Sequence, residues 1–302
     1  MFQGTFVALI TPFTGDRIDE PALARLVDWL IDQGVDGLVP CGTTGETPSL
    51  TEEEWQRVAA LVIERAAGRV PVIVGTGTNS TATTIARTRI ARELGADAAM
   101  VVTPYYNKPQ QEGLVRHVVA VADAVDLPLV VYNVPGRTGV NLAPETARRL
   151  VEQAPVVAIK ESSGSLDQIS ELVVAVGERC AVLSGDDSLT LPIIAVGGRG
   201  VISVVANVAP AAMAALVRAA LQGDMERARA LHHELFPRAR ALFLETNPVP
   251  VKAAAEMLGL CAGTVRLPLT PLSDANRQRL AHVLATCPHT APLLASRLGE
   301  AA

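Results

Sequence analysis

Residues 127–162, LPLVVYNVPGRTGVNLAPETARRLVEQAPVVAIKES, hold a whole strand–helix–strand unit. Its two ends, LPLVVYNVP and PVVAIKES, are continuous runs of apolar and β-branched residues, the pattern of strands buried on both faces. Between them Pro144 and Glu145 open the helical segment TARRLVEQ, since proline is pre-set for the first helical position. Two parallel strands joined by a helix follow. The unit also poses a chemical question, because a run that reads as a buried strand closes on Lys160.

Six further runs of the same kind extend the pattern in both directions. They are TFVALI from Thr5, GLVPCG from Gly37, VPVIVGTG from Val70, AAMVVTPYY from Ala98, CAVLSGDD from Cys180 and GVISVVANV from Gly200. Helix-start signals fall between them, such as Thr51 followed by Glu52, Glu53 and Glu54. Eight such units predict an α/β fold, a (β/α)8 TIM barrel over residues 1–223. A doubly wound open sheet is the rival, because counting strands does not show closure. After Asn207 the strand signal stops, and residues 224–302 are predicted as a C-terminal helical domain that packs on the barrel or on another subunit.

With 302 residues, 49% of them hydrophobic, the chain has ample material for a core. A net charge of −5 leaves no basic footprint for nucleic acid. No apolar run reaches the roughly 20 residues of a membrane span, and the N-terminus lacks a basic leader. A cytoplasmic protein acting on small molecules is expected, with neither nucleic acid nor membrane as partner. Cys41, Cys180, Cys261 and Cys287 are scattered and read as reduced thiols. His117, His232, His233, His282 and His289 lack ligand spacing, so no metal is implied. The turns GTGTN and GGRG lack dinucleotide or P-loop spacing, and no nucleotide is assigned to them.

In a (β/α)8 barrel the chemistry sits where the strands end. Lys108, Lys160 and Lys252 are the only lysines among 26 basic residues, so a plain surface charge in this chain is normally arginine. Lys160 reads either as a snorkelling side chain or as an amine nucleophile, a task closed to arginine. All three tyrosines, Tyr105, Tyr106 and Tyr132, fall at predicted strand ends, where strand preference alone places some of them. In GTTGE, Gly42 to Glu46, backbone amides with Thr43 and Thr44 suit a small carboxylate, or simply form a turn. Arg137 reads as a carboxylate clamp or a surface arginine. Asp186 and Asp187 read as a site acid pair or, as is commoner for adjacent aspartates at a strand end, as turn formers or caps, and are left out of the catalytic set. Gly185 closes the seventh strand, and Ile202 and Asn207 lie near the end of the eighth.

In this order and at these strand ends, GTTGE, TPYYN, YNVPGRTG and IKES resemble the dihydrodipicolinate synthase and N-acetylneuraminate lyase family of pyruvate-dependent Schiff-base aldolases. The resemblance runs from about residue 4 through the barrel. It implies that Lys160 forms an imine with pyruvate, with no separate cofactor, and that Tyr132 is the general acid/base, relayed by Thr44 and Tyr106. It places the pyruvate carboxylate at Thr43 and Thr44, with Gly185 and Ile202 among the substrate-binding positions, and the carboxylate of L-aspartate 4-semialdehyde at Arg137. The implied reaction yields 4-hydroxy-tetrahydrodipicolinate on the way to lysine and diaminopimelate. Tyr106 is expected to cross a dimer interface within a homotetramer. The alternatives are a sister aldolase acting on N-acetylneuraminate or 2-keto-3-deoxygluconate, and a non-catalytic barrel that binds a keto acid.

Lysine-sensitive members bind lysine at a dimer-interface cleft, to which Thr47, Pro48, Glu52, Trp55, Asn79, Thr83 and Tyr105 correspond. Thr83 stands where sensitive members carry glutamate, and Glu52 is expected as a solvated side chain in a first helical turn. Weak or absent inhibition by lysine is therefore expected.

Overall fold

The computed structural model describes residues 2–286 and residue 290. Cys287, His289 and the other residues of the expected helical domain past 286, apart from 290, lie outside this range. Eight parallel strands form one sheet: β1 (Gly4–Ala8), β2 (Gly37–Val39), β3 (Ile73–Gly75), β4 (Ala98–Val102), β5 (Leu129–Asn133), β6 (Val156–Glu161), β7 (Ala181–Ser184) and β8 (Gly200–Ser203). Their order is β2-β1-β8-β7-β6-β5-β4-β3. The two ends of that order meet through a parallel bridge between Leu38 and Val72, and the Gly75 N–H donates to the Pro40 carbonyl at 3.0 Å. The sheet closes on itself, which excludes the doubly wound alternative. Glycine is required at this seam, because a Cβ on Gly75 would fall 2.1 Å from the Cys41 carbonyl oxygen.

Each strand leads into a helix of the outer ring: α1 (Glu20–Asp32), α2 (Glu52–Ala66), α3 (Thr81–Leu94), α4 (Gln111–Ala124), α5 (Pro144–Gln153), α6 (Leu166–Val176), α7 (Thr190–Ala195) and α8 (Pro210–Leu221). The acidic run after Thr51 makes a reciprocal capping box. Thr51 Oγ1 accepts from the Glu54 N–H, and the Glu54 carboxylate accepts from the Thr51 N–H at 3.0 Å. Three further helices follow, α9 (Met225–Ala241), α10 (Val249–Met257) and α11 (Asp274–Ala285). Their apolar faces, including Leu235, Val251 and Leu280, join the same continuous core as Phe6 and Val131.

A buried ion pair fastens α10 to the barrel. Lys252 Nζ lies 2.6 Å from Glu46 Oε1, donates to the Thr11 carbonyl at 2.9 Å and sits 4.1 Å from the Phe13 ring centroid. Burial pulls the Lys252 amine below its ordinary range, against the pull of Glu46. The other Glu46 oxygen accepts from the Arg266 N–H at 3.0 Å. Removing one partner of a buried pair strands the other charge. Lys252→Ala is expected to lower unfolding free energy by about 3–5 kcal/mol, whereas Glu46→Gln with Lys252→Met is expected to recover most of it. Equal losses for the single and double variants in urea unfolding would rule out the stranded charge as the cause.

Candidate active site

Strand register pairs Tyr132 on β5 with Lys160 on β6. Lys160 is only 5% exposed, and its Nζ lies 4.1 Å from the Tyr132 ring centroid, within cation–π distance. On the β7 side the lysine stem is covered by Gly185. A Cβ there would fall 3.1 Å from Lys160 Cε and 2.0 Å from Ser162 Oγ, so no larger residue fits while these atoms stay in place. The neighbouring Asp186 carboxyl is raised by burial, and the Lys160 charge opposes that shift. Asp187 has a different task. It accepts from the Ser203 hydroxyl and from the Val204 and Val205 N–H groups, and so caps the turn after β8. Burial pushes its carboxyl up to about 6 in spite of these bonds.

Glu161, next in sequence to Lys160, belongs to a separate layer. Its carboxylate accepts from Asn133 Nδ2 at 3.0 Å and the Ser163 N–H at 2.5 Å, and burial raises it against these bonds. Alternation along the strand separates this structural acid from the amine.

The GTTGE loop follows β2. Its turn uses the Gly45 and Glu46 amides on the Gly42 and Thr43 carbonyls, whereas the Thr43 and Thr44 amides have no acceptor among the described residues. Thr44 is buried, and its Oγ1 accepts from Asn247 Nδ2 at 3.0 Å, which leaves the threonine proton free to be donated onward. The Asn247 carbonyl accepts from the exposed Arg137 guanidinium at 3.3 Å. Asn247 thus joins the β2 and β5 loops from the segment between α9 and α10. Its sequence signal is faint, a single amide before a proline in NPVPVKAAA. Glu46, grouped with the anion-binding loop in sequence, is instead committed to Lys252.

A cavity of about 460 Å³ lies beside this set and is lined by Thr43, Tyr105, Tyr132 and Arg137 among others. That is the size of a small-molecule site. Lys160, Thr44, Gly185 and Ile202 are not among its lining residues, so the lysine meets the cavity through its neighbour Tyr132; Ile202 is fully buried in β8 opposite Phe6. A second cleft of about 540 Å³ lies between the β7 loop and the C-terminal helices, lined by Asp186, Arg240, Phe243 and Arg279 among others.

Tyr106 faces solvent, whereas Lys160 of its own chain is buried. The tyrosine is 88% exposed, and its φ of 71° combines with an Asn107 N–H bond to the Tyr105 carbonyl at 2.8 Å to form a strained γ-turn. Such a backbone costs on the order of 1–3 kcal/mol and persists only where the surrounding structure holds it in place.

Near the Tyr105 side of the cavity, Glu52 is exposed in the first turn of α2, as expected, and is paired there with a neighbour on α3. Arg87 holds it through Nη2 at 2.7 Å and Nε at 3.0 Å, and the same guanidinium lies 5.3 Å from the Trp55 ring centroid. Trp55 is buried, with its indole N–H donated to the Gly75 carbonyl at 3.0 Å. The Thr83 hydroxyl donates to Ser80 Oγ at 3.1 Å.

A buried lysine and tyrosine set side by side at the strand ends of a closed barrel, next to a ligand-sized cavity, define a (β/α)8-barrel enzyme, and the chain is a lyase. It belongs to the dihydrodipicolinate synthetase family, whose model matches residues 1–287. It is 78% identical over 302 residues, the whole of both chains, to the 4-hydroxy-tetrahydrodipicolinate synthase of Thermomicrobium roseum. Among solved structures it resembles dihydrodipicolinate synthase from Aquifex aeolicus, with 49% identity, a TM-score of 0.94 and coverage of 96% of this chain and 99% of that one. The enzyme of Cyanidioschyzon merolae with lysine bound is 38% identical, with a TM-score of 0.93 over 97% and 99% of the two chains. No described helix is long and apolar enough to cross a membrane.

Proposed function

We propose that this barrel condenses pyruvate with L-aspartate 4-semialdehyde to give 4-hydroxy-tetrahydrodipicolinate, through an imine on Lys160. The observation that carries the roles is the Lys160 amine held 4.1 Å from the Tyr132 ring centroid in a chain 78% identical to a named synthase. The neutral amine adds to the pyruvate ketone, and water leaves to give an iminium. That cation is an electron sink, so a methyl proton departs, and the resulting enamine carbon attacks the aldehyde. Tyr132 moves the protons, with Thr44 as its partner. The amides of Thr43 and Thr44 hold the pyruvate carboxylate, and Arg137 receives the carboxylate of the semialdehyde.

The strained, solvent-facing Tyr106 suits a group presented to another subunit, where it completes the relay of that subunit's site. The working unit is then a homotetramer of paired subunits in the cytoplasm. Arg137 favours a charged semialdehyde over the neutral polyol aldehyde that an N-acetylneuraminate lyase would handle. In a coupled assay, turnover is expected with aspartate semialdehyde and not with sugar-derived aldehydes. Arg137→Ala is expected to weaken use of the semialdehyde while the pyruvate adduct still forms; turnover with the sugar aldehydes alone would reverse the substrate assignment.

Lysine inhibition is expected to be weak or absent. An ammonium needs a free anion, and the Glu52 carboxylate is already matched by Arg87 while Thr83 supplies only a hydroxyl. Titrating activity with L-lysine at saturating pyruvate checks this, and clear sub-millimolar inhibition would show that another anion serves the cleft.

A further inference from the structure

Ser162 carries a buried side-chain oxygen with no hydrogen-bond partner among the described residues. Such a group destabilises a folded chain and calls for an explanation. It stands two residues beyond Lys160, so alternation of the extended chain turns both side chains to the same side, away from the Glu161 layer. Ser162 Oγ and Lys160 Cε both lie within 3.1 Å of the point that a Gly185 Cβ would occupy. Gly185 thereby leaves space on this side for both the hydroxyl and the lysine stem. The amine itself rests on the opposite side, over the Tyr132 ring.

We propose that Ser162 is a further catalytic residue, whose hydroxyl donates a hydrogen bond to the oxygen of the carbinolamine formed on Lys160. The inference rests on the imine reading above. When Nζ bonds to the ketone carbon, the carbonyl oxygen takes up a proton and becomes a hydroxyl attached two bonds from Nζ. That places it close to Cε, within reach of the unpartnered Ser162 Oγ. The C–O bond then breaks, the hydroxyl leaves with a proton as water, and the C=N bond forms. Ser162 lends only a hydrogen bond; the protons travel through Tyr132. Later in the cycle the aldehyde oxygen of the second substrate stands several bonds further from Cε, so the effect belongs to imine formation and not to the condensation.

The test is time-resolved borohydride trapping of the pyruvate adduct by intact mass, run on the full-length protein and on Ser162→Ala, Ser162→Cys and Ser162→Thr. The adduct is expected to form about 10- to 100-fold more slowly in the alanine and cysteine variants, the range set by the net worth of one hydrogen bond to a charged group. The threonine variant is expected to stay within severalfold of the parent. Condensation started from a preformed adduct is expected to be unchanged. The Tm of Ser162→Ala is expected to equal or exceed that of the parent, because no bond of the free protein is lost. Trapping at the parental rate in the alanine variant overturns the role. So does slower trapping together with a fall in Tm, which marks a structural effect. If the parent forms no adduct at all, the imine reading fails, an outcome distinct from either.

Discussion

Lys160→Arg is expected to fold and to take no pyruvate adduct under borohydride, with turnover down by more than roughly 10,000-fold, the scale on which losing a covalent nucleophile acts. Arginine preserves charge and reach, but its guanidinium stays protonated and offers no lone pair to a ketone. The surroundings leave little room, since Gly185 covers the stem and the Tyr132 ring faces the amine. Overpacking of this kind costs about 1–3 kcal/mol, so Lys160→Met, unbranched and without an amine, serves as the better-fitting companion. Both variants are expected to retain the circular dichroism of the parent. A trapped adduct in either one means that the imine forms on a different amine, with Lys108 and Lys252 the other lysines to map.

Tyr132→Phe is expected to lower kcat by roughly 100- to 10,000-fold, the range of a positioned general acid/base. Phenylalanine keeps the ring that packs in the core and the face on which Lys160 rests, and removes only the proton carrier. The adduct is therefore expected to form slowly yet still reach completion, and the deficit is expected to recur at each later proton transfer. Comparing adduct formation with steady-state turnover separates these steps. Turnover at the parental rate would assign the proton to another group, with Thr44 the first to test.

What the sequence reveals of this fold follows from burial. A strand covered on both faces must be apolar throughout, so the eight runs are visible one by one. Closure of the ring is not, because it depends on the Leu38–Val72 bridge and on a close backbone approach at Gly75 that leaves no periodic trace. Lys160 and Tyr132 stand out through scarcity, being members of two residue types that this chain uses three times each. Asn247 does not stand out, since its bond to Thr44 spans 203 positions and either residue alone looks like an ordinary turn former. Glu46 shows the opposite failure. Its place in GTTGE suggests anion binding, yet a lysine 206 positions away claims it. Tyr106 is legible as a residue of interest, but the side to which it points is set by a γ-turn whose positive φ has no sequence signature for a tyrosine.

The Glu46–Lys252 pair also limits how this chain can be recombined with others. Its two charges belong to segments that a gene fusion at the end of the barrel would take from different parents. A chimaera joining this barrel to helices without a matching amine would bury Glu46 uncompensated beneath the loop that carries Thr43 and Thr44. Such a hybrid is expected to lose loop order and catalysis together, so exchange between relatives succeeds only when acid and amine travel as one inherited unit.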